Sequence, residues 1–354
     1  MRRIALAAAL AAGLMLALAS APSAGARASV PRGFFGIVPQ GPLAAADFQR
    51  MHGVVGTLRI PIYWPQVEPR RGDLDFASLD AIVSAAAAAG IRVLPFVYGT
   101  PAWLERNPAR PPLGPRELAA WSGFLGALVD RYGPRGDLWG GSGKDLPIRT
   151  WQIWNEPNFL LFWRPRPSPA GYARLLRSSA RAIRGADRGA RLVAAGLAPV
   201  EGGMLPWAFL RKLYAVPGVR RSFDQVAVHP YSSTLRGVVY QVRKARQTMA
   251  AAGDGRKSLL VSELGIASDS RLPTSFDWGL KGQADFLRRA YGLLLGGRSR
   301  WHIAGVDWYA WSDMSAPDPH CVFCEFAGLF DKSNRPKPAW RALRRVATSS
   351  RRGV

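Results

Sequence analysis

Trp151-Gln152-Ile153-Trp154-Asn155-Glu156-Pro157-Asn158 runs from an apolar, strand-like stretch into an Asn-Glu pair, and Pro157 makes the backbone turn there. A second stretch, Leu259-Leu260-Val261-Ser262-Glu263-Leu264-Gly265, ends in the same way on a glutamate. Each reads as a buried strand that delivers a carboxylate to its carboxyl end. Two such carboxylates are what acid-base cleavage of a glycosidic bond requires, one to protonate the leaving oxygen and one to attack or to activate water.

Outward from these stretches, short apolar runs alternate with longer helical patterns. Strands are expected at 34–39, 57–63, 92–98, 149–154, 191–195, 225–229, 258–263 and 305–311. Helices are expected near 43–52, 76–89, 116–132, 169–187, 204–215, 235–252, 279–295 and 337–346. In the second of these Phe76, Leu79, Ile82 and Val83 form one apolar stripe, Asp75 can cap the start and Gly90 can close the end. Eight strand-helix units in succession predict an α/β fold, a closed parallel (β/α)8 TIM barrel, as one catalytic domain over residues 29–354. In such a barrel the carboxyl ends of all strands meet at one mouth, so Glu156 on the fourth strand and Glu263 on the seventh face each other despite their separation in sequence.

Residues 1–28 read as a cleaved signal peptide. Arg2 and Arg3 precede an apolar run of about 15 residues, short of the roughly 20 that span a bilayer, and A-x-A sites end at Ala26 and Ala28. The chain is therefore expected to be secreted, with no stable membrane span after cleavage. A formal net charge of +24 raises the question of nucleic acid. Its arginines are spread along helices, as at Arg174, Arg177, Arg181, Arg184 and Arg188, and are not gathered into a nucleic-acid motif. Solvated helix faces are expected instead, with attraction to anionic wall polymer as the second reading and no nucleic-acid partner. Cys321 and Cys324, the only cysteines, are expected to form a local disulfide in an exported chain. A zinc site with His320 lacks further ligands nearby, so no metal is expected. Gly140-Gly141-Ser142-Gly143-Lys144-Asp145 is not a phosphate loop, since the first required glycine is Leu138 and Asp145 follows the lysine. No cofactor is expected.

Trp154-Asn155-Glu156-Pro157 and Ser262-Glu263 together resemble the acid/base and nucleophile strands of clan A glycoside hydrolases, with families 39 and 5 nearest. Ile60-Pro61-Ile62-Tyr63-Trp64 with Val67-Glu68-Pro69, Gly72 and Asp75-Phe76 is similar to the second strand and following loop of that clan, and Thr100-Pro101-Ala102-Trp103 to the end of its third strand. The chain departs from family 5 at Tyr98-Gly99-Thr100, where that family usually has a histidine. The resemblance implies a retaining β-glycosidase with Glu156 as general acid then base and Glu263 as nucleophile. It also implies a role for the His-x-Tyr pair His229 and Tyr231, with the tyrosine hydroxyl on the nucleophile, and for Trp311 under the reactive sugar.

The chemistry assigns other positions. Asn155 is placed to hydrogen-bond a sugar 2-hydroxyl, and Arg59 to orient Glu263 through charge-assisted bonds. Aromatic faces stack on the C–H faces of pyranoses, and of the 13 tryptophans Trp64 and Trp103 stand at expected strand ends or loops. The expected activity is hydrolysis of an extracellular or cell-wall polysaccharide or oligosaccharide by a monomer. Two other classes remain open at this stage: a catalytically silent carbohydrate-binding barrel, and a basic surface-attachment protein.

Overall fold

The computed structural model describes residues 29–141, 143–269, 274–316, 318, 320–321 and 323–351. The expected signal peptide, 1–28, lies outside the described residues. The first half of the chain sets β1 (Phe35–Val38), α1 (Ala45–Met51), β2 (Thr57–Tyr63), α2 (Trp64–Val67), α3 (Ala77–Ala88), β3 (Arg92–Tyr98), α4 (Pro115–Tyr132) and β4 (Thr150–Ile153). The second half adds α5 (Pro169–Ala186), β5 (Arg191–Leu197), α6 (Pro206–Tyr214), β6 (Gln225–Val228), α7 (Leu235–Ala251), β7 (Ser258–Leu264), α8 (Gly279–Gly296), α9 (Arg298–Trp301), β8 (Ile303–Tyr309) and α10 (Pro338–Arg351). The strands close in sequence order into a barrel, and all eight neighbouring pairs are parallel.

Parallel strands covered by helices are buried on both faces, which is why they read as unbroken apolar runs and not as alternations. Alternate residues still divide by face. Leu58, Ile60 and Ile62 of β2 point outward into the layer between strands and helices, as do Trp151 and Ile153 of β4 and Val306 and Trp308 of β8. The opposite set fills the barrel: Leu94, Val193, Ala227 and Leu260 make a small separate cluster inside it. Beside that plug buried Arg59 and Gln152 also point inward, and the site is built on them.

Helix ends follow local chemistry. Ser168 caps α5 by accepting from the Gly171 amide, and Thr234 caps α7 through Gly237. Helix α5 buries Leu175, Leu176 and Ile183 and leaves Arg174 and Arg181 exposed, while Arg184 pairs with Asp224. Among the described residues no helix is long and apolar enough to cross a membrane. Cys321 and Cys324 are joined by a disulfide.

The end of the last strand corrects the sequence reading where it bears on the site. β8 ends at Tyr309, not at 311. The apolar pattern continues because Trp311 is buried for another reason, against Phe330 at 4.5 Å and Trp340 at 5.3 Å between ring centroids.

Candidate active site

The backbone turns sharply through the decisive stretch. Trp154 and Glu156 both have positive φ, 67° and 40°, a region in which side chains other than glycine's are strained. The turn is held by the Trp154 amide donating to the Val97 carbonyl and the Glu156 amide to the Gly196 carbonyl. It brings Asn155 and Glu156 over the barrel axis, where strict alternation would have sent one of them out.

Glu263 reaches the same place by a different device. Leu260 points inward, so a regular strand would aim Glu263 outward, but the pairing of β7 with β8 shifts register between Val261 and Leu264. Such an irregularity re-aims a side chain. The register of β5 with β6 likewise shifts between Ala194 and Gly196.

Arg59, fully buried on β2, ties these pieces together. Its Nη1 donates to Glu263 Oε1 at 2.6 Å, its Nη2 to Asn155 Oδ1 at 2.9 Å and its Nε to Gln152 Oε1 at 3.0 Å. The guanidinium lies 3.9 Å from the Phe96 ring centroid, so an aromatic face covers the remaining side of the charge. Because the Asn155 oxygen is taken, its amide nitrogen is left as the donor available to a ligand. Tyr231 donates to the other oxygen of Glu263 at 2.7 Å. Burial first, then the Glu263 carboxyl, pushes the Tyr231 hydroxyl well up, so the phenol stays a donor.

Glu156 is held differently. Burial, and then the nearby Glu263 charge, pushes it well above the usual carboxylate range, with Arg59 opposing. Its neighbour is His229, whose Nδ1 lies 2.7 Å from Glu156 Oε1. Burial and Arg59 push His229 well below its ordinary value, so the ring is neutral. His229 Nε2 stands 3.5 Å from Glu263 Oε1 and makes no hydrogen bond. The imidazole therefore sits between the two carboxyls, and Gly196 makes room for it: a Cβ there would fall 1.9 Å from Nε2. Glu156, His229 and Glu263 offer atoms within 4.8 Å of one another, a spacing that could also ligate a cation. The Arg59 charge already on Glu263 repels a second positive centre and suits the trio to proton transfer.

The structure thus brings together Glu156, Glu263, Arg59, Asn155, His229 and Tyr231. It does not bring Trp64 or Trp311 to them. Trp64 is fully buried, stacked on Phe124 and edge-on to Trp103 and Trp121, with its nitrogen donating to Glu68. Trp311 is 1% exposed beneath Phe330 and Trp340, with no face open to a sugar. Trp103 is half-buried, and its nitrogen donates to the Glu68 carbonyl.

Residues that the sequence reading passed over take these places. Tyr309, the last residue of β8, is half-buried, meets the Tyr231 ring edge-on, and has its hydroxyl pushed up by burial and by Glu263. Tyr98 ends β3, contacts Tyr63 and Phe162, and is pushed up to about 12 by burial and Tyr63. Tyr98 with Phe162, and Tyr231 with Tyr309 and Phe323, are the aromatic contacts beside the carboxyls among the described residues. The signal that could have found Tyr98 and Tyr309 is parity: each shares its strand's inward face with a residue named above or with Asp307.

No family model and no curated protein matches the sequence. Solved structures do. A family 39 glycoside hydrolase from the gut symbiont Bacteroides cellulosilyticus WH2 is 22% identical over 90% of this chain, with a TM-score of 0.66. This chain spans 64% of that protein's length. A monomeric beta-xylosidase from Caulobacter crescentus CB15 is 18% identical over 90% of this chain and 69% of its own, with a TM-score of 0.63. A GH5_18 protein from Streptomyces cattleya, in complex with GlcNAc, is 18% identical over 91% of this chain and 81% of its own, with a TM-score of 0.68. The chain shares their barrel fold.

Proposed function

We propose that this chain is a retaining β-glycosidase that hydrolyses an extracellular or cell-wall polysaccharide or oligosaccharide by double displacement, with residues 29–354 as its catalytic domain. The observation that carries the reading is the unequal treatment of two close carboxyls. One carboxyl oxygen of Glu156 and one of Glu263 lie within 4.8 Å of each other, close enough for the two groups to act on opposite sides of one glycosidic bond. One of the pair accepts donors on both oxygens, and the other is pushed to keep its proton.

In the first step Glu263 attacks the anomeric carbon while Glu156 gives its proton to the leaving oxygen. The bond to the leaving group breaks and a glycosyl ester forms on Glu263. Esterification removes the charge that helps to raise Glu156, so Glu156 then accepts a proton from water as that water attacks the same carbon, and the ester bond to Glu263 breaks to free the sugar and the carboxylate. Arg59 and Tyr231 position the nucleophile, the Asn155 amide meets the 2-hydroxyl, and the Tyr98 and Tyr309 rings border the sugar. We further propose that the leader at 1–28 exports the protein and that it acts as a monomer, as the Caulobacter crescentus enzyme is described.

The test is Glu263→Gln on a panel of aryl β-glycosides, with the anomer of the first product followed by NMR. Turnover is expected to fall by at least roughly a thousandfold with an unchanged circular dichroism spectrum, and the wild type should release the β anomer. Near-normal turnover by the variant, or an inverted first product, would sink the assignment.

A further inference from the structure

Between α6 and α7, on the outer wall of the barrel, runs a groove of about 660 Å³ that the mechanism does not use. Arg211, Arg220 and Lys244 line it, together with Trp207, and no carboxylate does. Arg220 is spent in part on the Ala252 carbonyl. Arg211 and Lys244 have no ion-pair partner among the described residues. Arg184, by contrast, is paired with Asp224.

Beside the cations stands an aromatic pair. Tyr240 is 47% exposed, meets the Trp207 ring edge-on at 5.7 Å, and has the Lys244 ammonium 5.6 Å from its centroid. A large aromatic left open to water next to uncompensated charge is an arrangement that packing alone does not call for. Trp207 lies in the first turn of α6 and Tyr240 in the second turn of α7, and both helices start at the end of the barrel where Glu156 and Glu263 sit. The α7 residues that line the groove, Lys244, Gln247, Thr248 and Ala251, belong to the half of that helix away from the mouth, and Ala252 follows its last residue. The groove therefore lies on the outer wall, apart from the catalytic carboxyls.

We propose that this groove is a second glycan-binding site, specific for an acidic polysaccharide. The Trp207–Tyr240 pair would stack on pyranose faces, and Arg211 and Lys244 would bind the sugar carboxylates. The inference goes beyond the hydrolytic reading and does not depend on turnover, so the two can fail separately.

Binding is measured by calorimetry on the full protein, using polygalacturonate, neutral dextran and duplex DNA. Polygalacturonate is expected to bind, more weakly as salt rises, with dextran well below it. Arg211→Ala with Lys244→Ala should weaken that binding roughly tenfold or more, whereas the same charge loss on α10, Arg344→Ala with Arg345→Ala, should leave it within about twofold. Tyr240→Ala, at an exposed position that does not threaten folding, should weaken it severalfold with net charge unchanged. Hydrolysis of small aryl glycosides should not change in any of these variants. Equal loss from the α10 control, no loss from Tyr240→Ala, or DNA bound as tightly as polygalacturonate would overturn the proposal and mark general attraction of polyanions to a basic protein.

Discussion

Asp307 shows how much charge one barrel interior holds. It points inward from β8, is fully buried, and neither carboxyl oxygen has a hydrogen-bond partner among the described residues. Gly36 on β1 makes room for it, since a Cβ there would fall 1.7 Å from Oδ1. Burial pushes Asp307 well above the usual carboxylate range; Arg59 opposes this and Glu263 adds to it. The sign of the consequence is definite. The native state holds this proton to higher pH than the unfolded chain, whose Asp titrates near about 4, so this group makes stability fall as pH rises from about 4 towards the native value. Asp307→Asn cannot ionise and escapes that loss. Its melting temperature should match the wild type near pH 4 and exceed it at pH 7.5, read by thermal unfolding at both. An equal gain at the two pH values would show that ionisation is not the cause. Arg59 is the counterpart: a buried cation whose three nitrogens each donate to a side-chain oxygen.

At the scale of elements the site depends on departures from regular strands. The β5 irregularity puts Gly196 against His229, and the β7 irregularity aims Glu263 inward. Gly196→Ala places a Cβ where the imidazole stands, so the ring must move and its 2.7 Å contact with Glu156 must break. Turnover should drop by roughly a hundredfold, as a misplacement of about 1 Å costs, with the chain still folded by circular dichroism. Wild-type turnover would show that His229 does not position Glu156. These irregularities also separate what the sequence could say from what it could not. β2 and β3 span 57–63 and 92–98 as expected, because runs buried on both faces leave their ends marked by polar or turn residues. Glu156, Glu263 and Asn155 were legible as polar groups that an apolar strand carries to its end, and Arg59 as a charge inside an apolar strand. Which face a residue takes was not. Trp64 and Trp311 look like Tyr98 and Tyr309 in a run where everything is apolar, and only parity within a correctly ended strand tells them apart. Gln152 stood in the opening stretch, but its role appeared only with its partner Arg59.

Across the whole molecule, charge and aromatic residues are sorted by radius. Exposed arginines of the outer helices, such as Arg174 and Arg181, lie in water, while the axis carries Arg59 against Glu263. Tryptophan follows the opposite rule. Trp121, Trp154 and Trp163 continue from Trp64 as an edge-to-face column, with centroids 5.4, 6.0 and 5.7 Å apart, and Trp151, Trp308 and Trp311 are buried as well. The consequence is optical. Indoles shielded from water emit at short wavelength, and the buried tryptophans named here pack in the layer outside the barrel. Native emission should therefore be blue-shifted and should move red on denaturation. It should stay nearly constant when a glycoside occupies the site, where tyrosines line the rim. A large shift on adding sugar would mean that occupancy of the mouth is transmitted through the Trp154 turn into the core.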